Sequence, residues 1–449
     1  MSKKWNQLPN GYLTSTPFLQ FVLMTMLFPL WSVANALNDV LITQFKSIFE
    51  LSNFASAFVQ SAFFGGYFVM AIPAALVMKK KSYVSAILCG LAFYIVGCLL
   101  FFPASHMATY TMFLVAIFAI ALGLSFLETS ANTYATMIGP EKTSTFRINL
   151  SQTFTPIGNI CGILLGKFLI FQEGESLSSK MAAMSPDQIA AFRLEMLQHT
   201  LVPYKYIVLI LVALFLAFVF IKFPSCKPQV KETAEAVKNK VNLLSMKTAK
   251  FMMGVQRFRR SLLAMFLYNG MQAAVWSFTI RLALSLDGSM NERVAANYMI
   301  ASFIVFFLGR VVASTLLTKM SANKLLFIYS VLGCLCLAYV AGVNDFSVMY
   351  PVILVSAFMG PVYPTIYDTG LKTVPAEYRE SAAAAMVMSI VGGAMMPPIL
   401  GLVADATGIL HVGYVIPFLC FVVISWFFYT EMHIENEKHE TELKEVHQL

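Results

Sequence analysis

Charged residues are scarce in this sequence. Only 12% of its 449 residues are charged, whereas 58% are hydrophobic. A water-soluble domain of this composition would expose more apolar surface than folding could bury, so the chain is expected in a lipid bilayer. In such a protein the net charge of +8 reflects orientation in the membrane rather than binding to nucleic acid.

The sequence also lacks the cysteine patterns of disulfide frameworks and metal sites. Its seven cysteines are scattered through apolar segments, so we interpret them as small core residues and expect no metal and no cofactor. No nucleophile with a paired base is evident, which argues against an enzyme with catalytic residues. No cleavable signal peptide is evident either, because the first apolar run continues well beyond signal-peptide length.

Long apolar runs are what the sequence has in abundance. A membrane-spanning helix needs about 20 mainly apolar residues. This length predicts an all-α membrane protein with twelve spans, at about residues 17–45, 54–77, 83–103, 109–137, 147–171, 203–223, 259–284, 294–318, 325–342, 347–371, 380–404 and 413–430.

A polar, basic break divides these spans into two sets of six. Residues 224–258 are expected to be a cytoplasmic linker between two bundles, residues 1–223 and 259–431, with a cytoplasmic tail at 432–449. An offset of 235 residues recurs in glycine and proline positions, as in a duplicated, pseudo-symmetric bundle: Pro140 and Pro375, Gly158 and Gly393, Gly166 and Gly401.

The basic residues also predict the orientation. With both termini in the cytoplasm, most basic loop residues fall on the cytoplasmic side of a bacterial inner membrane. They are Lys79, Lys80, Lys81, Lys142, Arg147, Lys319, Lys324, Lys372 and Arg379. In the longest outer loop, Ser185-Pro186-Asp187-Gln188 has the form of a capping box and predicts a short surface helix.

Two carboxylates stand out within predicted spans, where inserting an acid costs about 3 kcal/mol. Asp39 shares a helix face with Asn35 and Asn38, and Glu128 shares one with Asn132, so both faces are expected to line a polar cavity. Alternatively, each acid pairs with a basic group, or Asp39 lies at the outer interface. An acid without a cationic partner in a partly dehydrated cavity suits reversible protonation, so we predict proton-coupling roles for Asp39 and Glu128.

Polar stripes at helical spacing recur on other spans. Amides interleaved with aromatic faces match the hydroxyl groups and the apolar CH surface of a sugar, which favours a polyol over a hydrophobic drug. For any single amide, a helix-to-helix hydrogen bond is the alternative. For Asp368, three roles stay open: a second proton site, a determinant of substrate choice, or the partner of a basic residue. The predicted substrate contacts in these stripes are Asn149, Gln152, Thr155, Asn269, Gln272, Trp276, Tyr363 and Asp368. On the two cavity faces described above, Asn35, Asn38, Glu128 and Asn132 are predicted substrate contacts as well.

Longer motifs surround several of these residues. They are Leu30-Trp31-Ser-Val-Ala-Asn35-Ala-Leu-Asn38-Asp39, Gln60-Ser-Ala-Phe63 with Gly66-Tyr67-Phe68, Leu127-Glu128-Thr-Ser-Ala-Asn132, Gly139-Pro140-Glu141, and Phe146-Arg147-Ile-Asn149-Leu-Ser-Gln152-Thr-Phe154. With these motifs the sequence resembles, over nearly its whole length, the fucose, galactose and glucose proton symporters of the major facilitator superfamily.

The resemblance implies a twelve-helix major facilitator fold with a central cavity open alternately to each side, in a protein that works as a monomer. It associates the acid matching Asp39 with proton movement, and the acid matching Glu128 with sugar binding and coupling. It also adds Trp31, Gln60 and Tyr67 to the expected substrate contacts.

The expected function is therefore the import of a monosaccharide together with a proton, with L-fucose or a related hexose or deoxyhexose as the cargo. Departures from the family's pattern at Thr133, Thr155 and Pro361 lie on presumed cavity faces and bear on which sugar is carried. The alternatives are a uniporter or antiporter, in which the acids only hydrogen-bond the substrate, and a non-transporting sugar sensor. A sensor is disfavoured because neither linker nor tail offers a soluble output domain.

Overall fold

The computed structural model describes residues 5–9, 11–227, 246–317, 319–375 and 378–447. The chain forms two compact units. One comprises Met1–Lys240 and Ser289–Ile300, and the other comprises Val241–Gly288 and Ala301–Leu449. Most of the expected linker, residues 228–245, lies outside the described residues, so its role stays a prediction.

The helices up to residue 220 all belong to the first unit. They are α1 (Phe18–Thr25), α2 (Leu27–Ile48), α3 (Asn53–Ser56), α4 (Phe58–Lys80), α5 (Tyr83–Met107), α6 (Tyr110–Met137), α7 (Ser144–Gln152), α8 (Phe154–Leu165), α9 (Leu177–Ala182) and α10 (Pro186–Phe220). A π-helical turn, Gly166–Ile170, extends α8.

The helices from residue 246 onward follow the same pattern of long spans. They are α11 (Met246–Gly254), α12 (Gln256–Leu286), α13 (Glu292–Leu316), α14 (Ala322–Gly342), α15 (Met349–Met359), α16 (Val362–Lys372), α17 (Arg379–Met388), α18 (Gly392–Thr407) and α19 (Val415–His447). The regular structure of the described residues is thus helical, which confirms the all-α fold class.

Most of these helices could cross a membrane. Within the described ranges, eleven helical stretches are long and apolar enough to do so. The seventh expected span is the 31-residue helix α12, which is more polar because it carries Arg257, Arg259, Arg260 and Arg281. The arrangement is that of a twelve-span protein, as the sequence predicts.

Proline interrupts two of the expected spans. The fifth is divided into α7 and α8, where Pro156 has no N–H to donate to the carbonyl of Gln152. The tenth is divided into α15 and α16. There Pro364 leaves the carbonyl of Gly360 without its helical partner, and Arg310 Nε donates to this oxygen at 3.2 Å.

Glycines on α8 bring this helix close to α2. A Cβ added at Gly162 would lie 2.6 Å from the carbonyl oxygen of Val33, and one at Gly166 would lie 2.6 Å from Val40 Cγ2. Any side chain at these positions would push the two helices apart. The close approach therefore fixes α2, the helix that carries Asp39.

The predicted short surface helix is wrong in length. The capping box of Ser185 and Gln188 is present, but it begins the 35-residue helix α10, which runs through Pro203. Burial of Met196 and Leu197 shows why: helix packing continues through the stretch that the sequence marked as a loop. Helix α19 continues to His447, through most of the expected tail, whose cytoplasmic location stays a prediction.

The seven cysteines are free thiols. Cys98, Cys226 and Cys420 are buried, as expected of core residues. Cys89 and Cys161 are exposed, so the core interpretation is wrong for them. Both lie in expected spans, where the outer surface of a helix is in contact with lipid and a small apolar side chain carries no penalty.

Candidate functional site

Asp39 lies at the end of a buried chain of side-chain amides. Gln60 of α4 donates from Nε2 to Asp39 Oδ1 at 2.6 Å, and Asn38 donates from Nδ2 to Gln60 Oε1 at 2.9 Å. The exposed fractions of Asp39, Gln60 and Asn38 are 4%, 2% and 2%. A buried carboxylate thus accepts a hydrogen bond from a neutral amide.

Glu128 lies on α6 and is hydrogen-bonded to the hydroxyl of Tyr67 on α4. Ser125, three residues before Glu128, donates from Oγ to the backbone oxygen of Tyr67 at 3.2 Å. Tyr67 is buried and Glu128 is half-buried. The structure therefore brings Tyr67, which only the resemblance had suggested, into direct contact with the acid chosen from its position in a span.

A second polar group extends the face of Glu128. Asn132, one turn further along α6, accepts at Oδ1 from Gln152 Nε2 at 2.8 Å, and Gln152 Oε1 accepts from Thr155 Oγ1 at 3.2 Å. The proline break between α7 and α8 lies at this point. Asn149 is one turn before Gln152 on α7, but its side chain is not among those that the structure describes.

The remaining first-unit candidates lie earlier on α2. Trp31 is buried and packs on Phe28, with 4.3 Å between the ring centroids. Asn35 is half-buried, one turn before Asp39. Their contact with a substrate stays a prediction.

In the second unit, Tyr268 is the residue that sequence reasoning missed. Its hydroxyl donates to the carbonyl oxygen of Met359 at 3.0 Å and accepts from Gln272 Nε2 at 2.9 Å. Because the carbonyl can only accept, the Tyr268 hydroxyl must accept from Gln272. Gln272 is thereby oriented with Oε1 away from Tyr268.

Aromatic rings accompany this amide. Tyr268 lies 6.1 Å from Tyr363 between ring centroids, and Tyr363 is nearly parallel to Tyr367, at 6.2 Å and an angle of 9°. Tyr363 and Tyr367 are half-buried, so their faces remain partly accessible. Such faces suit the CH surface of a sugar.

Two predicted contacts of the second unit are tied into the helices themselves. Asn269 donates to the carbonyl oxygen of Met265 on its own helix at 3.0 Å. Trp276 Nε1 donates to Ser356 Oγ at 3.2 Å, and its ring packs edge-on against Phe303. These contacts fit the alternative of structural hydrogen bonds, so a substrate role for either residue stays a prediction.

Asp368 is the most exposed of the candidates whose side chains the structure describes. Its carboxylate pairs with Lys372 Nζ, one turn further along α16, at 2.5 Å, and both side chains are exposed. Of its three open roles, the geometry fits the partner of a basic residue. Among the described residues, no group of three or more His, Cys, Asp or Glu side chains could hold a metal ion.

Known proteins resemble this chain over most of its length. The family model described as Major Facilitator Superfamily matches residues 13–390. The L-fucose-proton symporter of Escherichia coli (strain K12) is 37% identical over 413 residues, which cover 91% of this chain and 92% of the relative. The L-fucose-proton symporter of Haemophilus influenzae is 32% identical, covering 90% and 94%. The crystal structure of the transporter FucP in the outward conformation matches with a TM-score of 0.67 and 35% identity, over 92% of this chain and 98% of that chain.

Proposed function

Because this chain belongs to the Major Facilitator Superfamily, we propose that it is a transporter that imports a monosaccharide together with a proton. L-Fucose or a related hexose or deoxyhexose is the proposed cargo. Two relatives more than 30% identical to the chain carry the name L-fucose-proton symporter, which supports both the sugar and the coupling ion.

One observation carries the proton coupling: the buried Asp39 carboxylate is held by the amide of Gln60. A side-chain amide can remain the partner of this acid in both protonation states, because it offers both a donor and an acceptor. Its protonation removes a charge from a poorly hydrated site, and its deprotonation restores the bond from Gln60. Asp39 is accordingly the proposed proton carrier.

The sugar contacts are proposed for groups that both donate and accept. Glu128 with Tyr67, and Asn132 with Gln152, offer carboxylate, hydroxyl and amide groups on neighbouring helices of the first unit. Gln272 offers an oriented amide in the second unit, and the Tyr268 that orients it lies beside the ring of Tyr363. Such groups match the alternating donors and acceptors of a hexose.

Coupling follows from neutralisation. Sugar and one proton enter from the outer side, and the loss of charge on the acid lowers the cost of closing the site to water. The transporter then opens to the inside by alternating access. A membrane potential supplies about 2.3 kcal/mol per 100 mV for each charge moved. At about 1.4 kcal/mol per factor of ten, this supports a sugar gradient of about fifty-fold.

The proposed setting is a bacterial inner membrane, with both termini in the cytoplasm and with a monomer as the working unit. The basic loop residues support this orientation. The division into two bundles, a linker at residues 224–258 and a tail belongs to the same proposal.

The test is the external pH of de-energised cells that express the protein in a background without fucose transport. Adding L-fucose should make the medium more alkaline, because each sugar takes a proton into the cell. Alkalinisation with another hexose alone would keep the mechanism and change the cargo. Sugar uptake without a pH change would instead indicate a uniporter. The absence of both uptake and a pH change with every sugar tested would contradict the proposal.

A further inference from the structure

The amide chain beside Asp39 has a fixed direction. Asn38 donates to Gln60 and Gln60 donates to Asp39. An ionised carboxylate offers only acceptors. When Asp39 is ionised, Gln60 therefore points Nε2 toward Asp39 and Oε1 toward Asn38. Because Gln60 Oε1 can only accept, Asn38 must point Nδ2 toward Gln60.

One atom at the far end of the chain remains unsatisfied. Asn38 Oδ1 is buried and has no hydrogen-bond partner among the described residues. A buried acceptor without a donor is unfavourable. The ionised arrangement thus satisfies Asp39 at the expense of Asn38.

A proton on Asp39 reverses this balance. The proton comes from the outer solution and forms an O–H bond on the carboxyl group, which then needs an acceptor. If the Gln60 and Asn38 amides each turn by half a rotation, Gln60 Oε1 accepts from Asp39 and Gln60 Nε2 donates to Asn38 Oδ1. No amide hydrogen is transferred, and both amides turn back when Asp39 releases its proton to the inside.

We propose that Gln60 and Asn38 are positioning residues that convert the protonation of Asp39 into a rearrangement of the α2 face carrying Asn35. In the protonated state Asn38 Oδ1 gains a donor, and Asn38 Nδ2 becomes available three residues from Asn35. This role replaces the direct sugar contact predicted for Gln60 and Asn38. It rests on the proposed proton-coupled function.

Other charged groups lie on α2 and on the elements packed against it. Lys46 lies on α2 itself, two turns beyond Asp39. On the elements packed against α2, the bonded pairs include Glu128 with Tyr67, Lys167 with Asn297, Lys180 with the backbone of Glu173, Arg193 with Glu50, and His199 with Glu195. Glu128 is therefore the second acid that a test must separate from Asp39.

The test uses the full-length protein in proteoliposomes and the variant Gln60→Met, which keeps the side-chain volume and removes the amide. Two activities are compared: L-fucose counterflow without a gradient, and L-fucose accumulation under an imposed proton gradient. Counterflow should stay within about twofold of wild type, because binding and reorientation remain. Accumulation should fall to about onefold, because protonation of Asp39 no longer rearranges Asn38.

Gln44→Met is the matched control. Gln44 is a fully buried amide on α2 that is not part of the hydrogen-bonded series Asn38, Gln60 and Asp39. Neither of its polar side-chain atoms has a partner among the described residues. It should retain both activities. Accumulation by Gln60→Met equal to that of wild type would overturn the inference. So would a more than tenfold rise in the sugar concentration needed for counterflow, which would return Gln60 to a sugar contact.

A spectroscopic test requires no change at Gln60. The infrared difference spectrum of wild type between low and high pH should contain side-chain amide carbonyl bands, and the same difference for Asp39→Asn should lack them. Their persistence in Glu128→Gln would assign them to Asp39. If wild type couples protons to sugar but its spectrum lacks these amide bands, the amide rearrangement is refuted and the proposed function stands. If wild type takes up sugar without protons, the proposed function is overturned as well.

Discussion

The two units each bury a carboxylate, but they hold it in different ways. In the first unit, Asp39 is 4% exposed and accepts from the neutral amide of Gln60. In the second, Glu431 is 1% exposed and is paired through both oxygens with the guanidinium of Arg257. Protonating Glu431 would remove the negative partner of the half-buried Arg257 guanidinium, whereas the Gln60 amide that donates to Asp39 carries both a donor and an acceptor. Burial alone therefore does not identify a proton site; the charge of the bonded neighbour does.

The largest effect should come from removing the acid held by the amide. Asp39→Asn should abolish uphill accumulation, from about fifty-fold to about onefold, because no proton can be carried. Exchange of labelled for unlabelled sugar should persist, since it needs no net proton movement. Both are measured by radiolabelled L-fucose uptake in energised and de-energised vesicles, and accumulation that survives the change would contradict the assignment.

Breaking the ion pair should instead affect stability. Arg257→Met leaves Glu431 as an unpaired buried charge and should destabilise the folded protein by about 3 kcal/mol. The double variant Arg257→Met with Glu431→Leu should recover most of the loss. Thermal unfolding in detergent measures both. A single variant as stable as wild type would show that the pair is not closed in the folded protein.

Removing one hydroxyl in the second unit should weaken sugar binding without uncoupling. Tyr268→Phe takes away the acceptor that orients Gln272, at a cost of about 1 kcal/mol, so the half-saturating sugar concentration should rise about fivefold. The number of protons per sugar should stay unchanged. A change in that number with unaltered affinity would place Tyr268 in coupling rather than recognition.

The smallest effect is expected at Asp368. Its exposed pair with Lys372 contributes at most about 0.5 kcal/mol to stability, so Asp368→Asn should leave thermal unfolding nearly unchanged. Sugar affinity should also remain within about twofold, with Lys372→Gln as the matched control. A tenfold loss of affinity in Asp368→Asn alone would restore the predicted substrate contact.

The sequence alone predicted those features that depend on residues close together in the chain. Apolar runs of spanning length located the helices, and the cost of an acid in a span singled out Asp39 and Glu128. Their partners were harder to find. Gln60 and Tyr67 were suggested only by the resemblance, because a lone glutamine or tyrosine in an apolar helix is as readily a packing residue.

The sequence did not predict the contacts between residues that are far apart in the chain. Arg257 was assigned to a basic linker and Glu431 to the last residue of the second bundle, yet they are paired across 174 residues. Tyr268 gave no signal because its role depends on a carbonyl 91 residues away, at Met359. The capping box at Ser185 was recognised, but the length of α10 depends on the burial of Met196 and Leu197, which local pattern does not reveal.

The most direct test counts protons per sugar in proteoliposomes that contain a pH-sensitive dye, after a pulse of L-fucose. The comparison is between Asp39→Asn and Glu431→Gln, two matched changes of a buried acid to its amide, each normalised to the sugar taken up. The account predicts that Glu431→Gln retains the wild-type proton count and that Asp39→Asn takes up sugar with none. Proton uptake that persists in Asp39→Asn, or that disappears in Glu431→Gln, would contradict it.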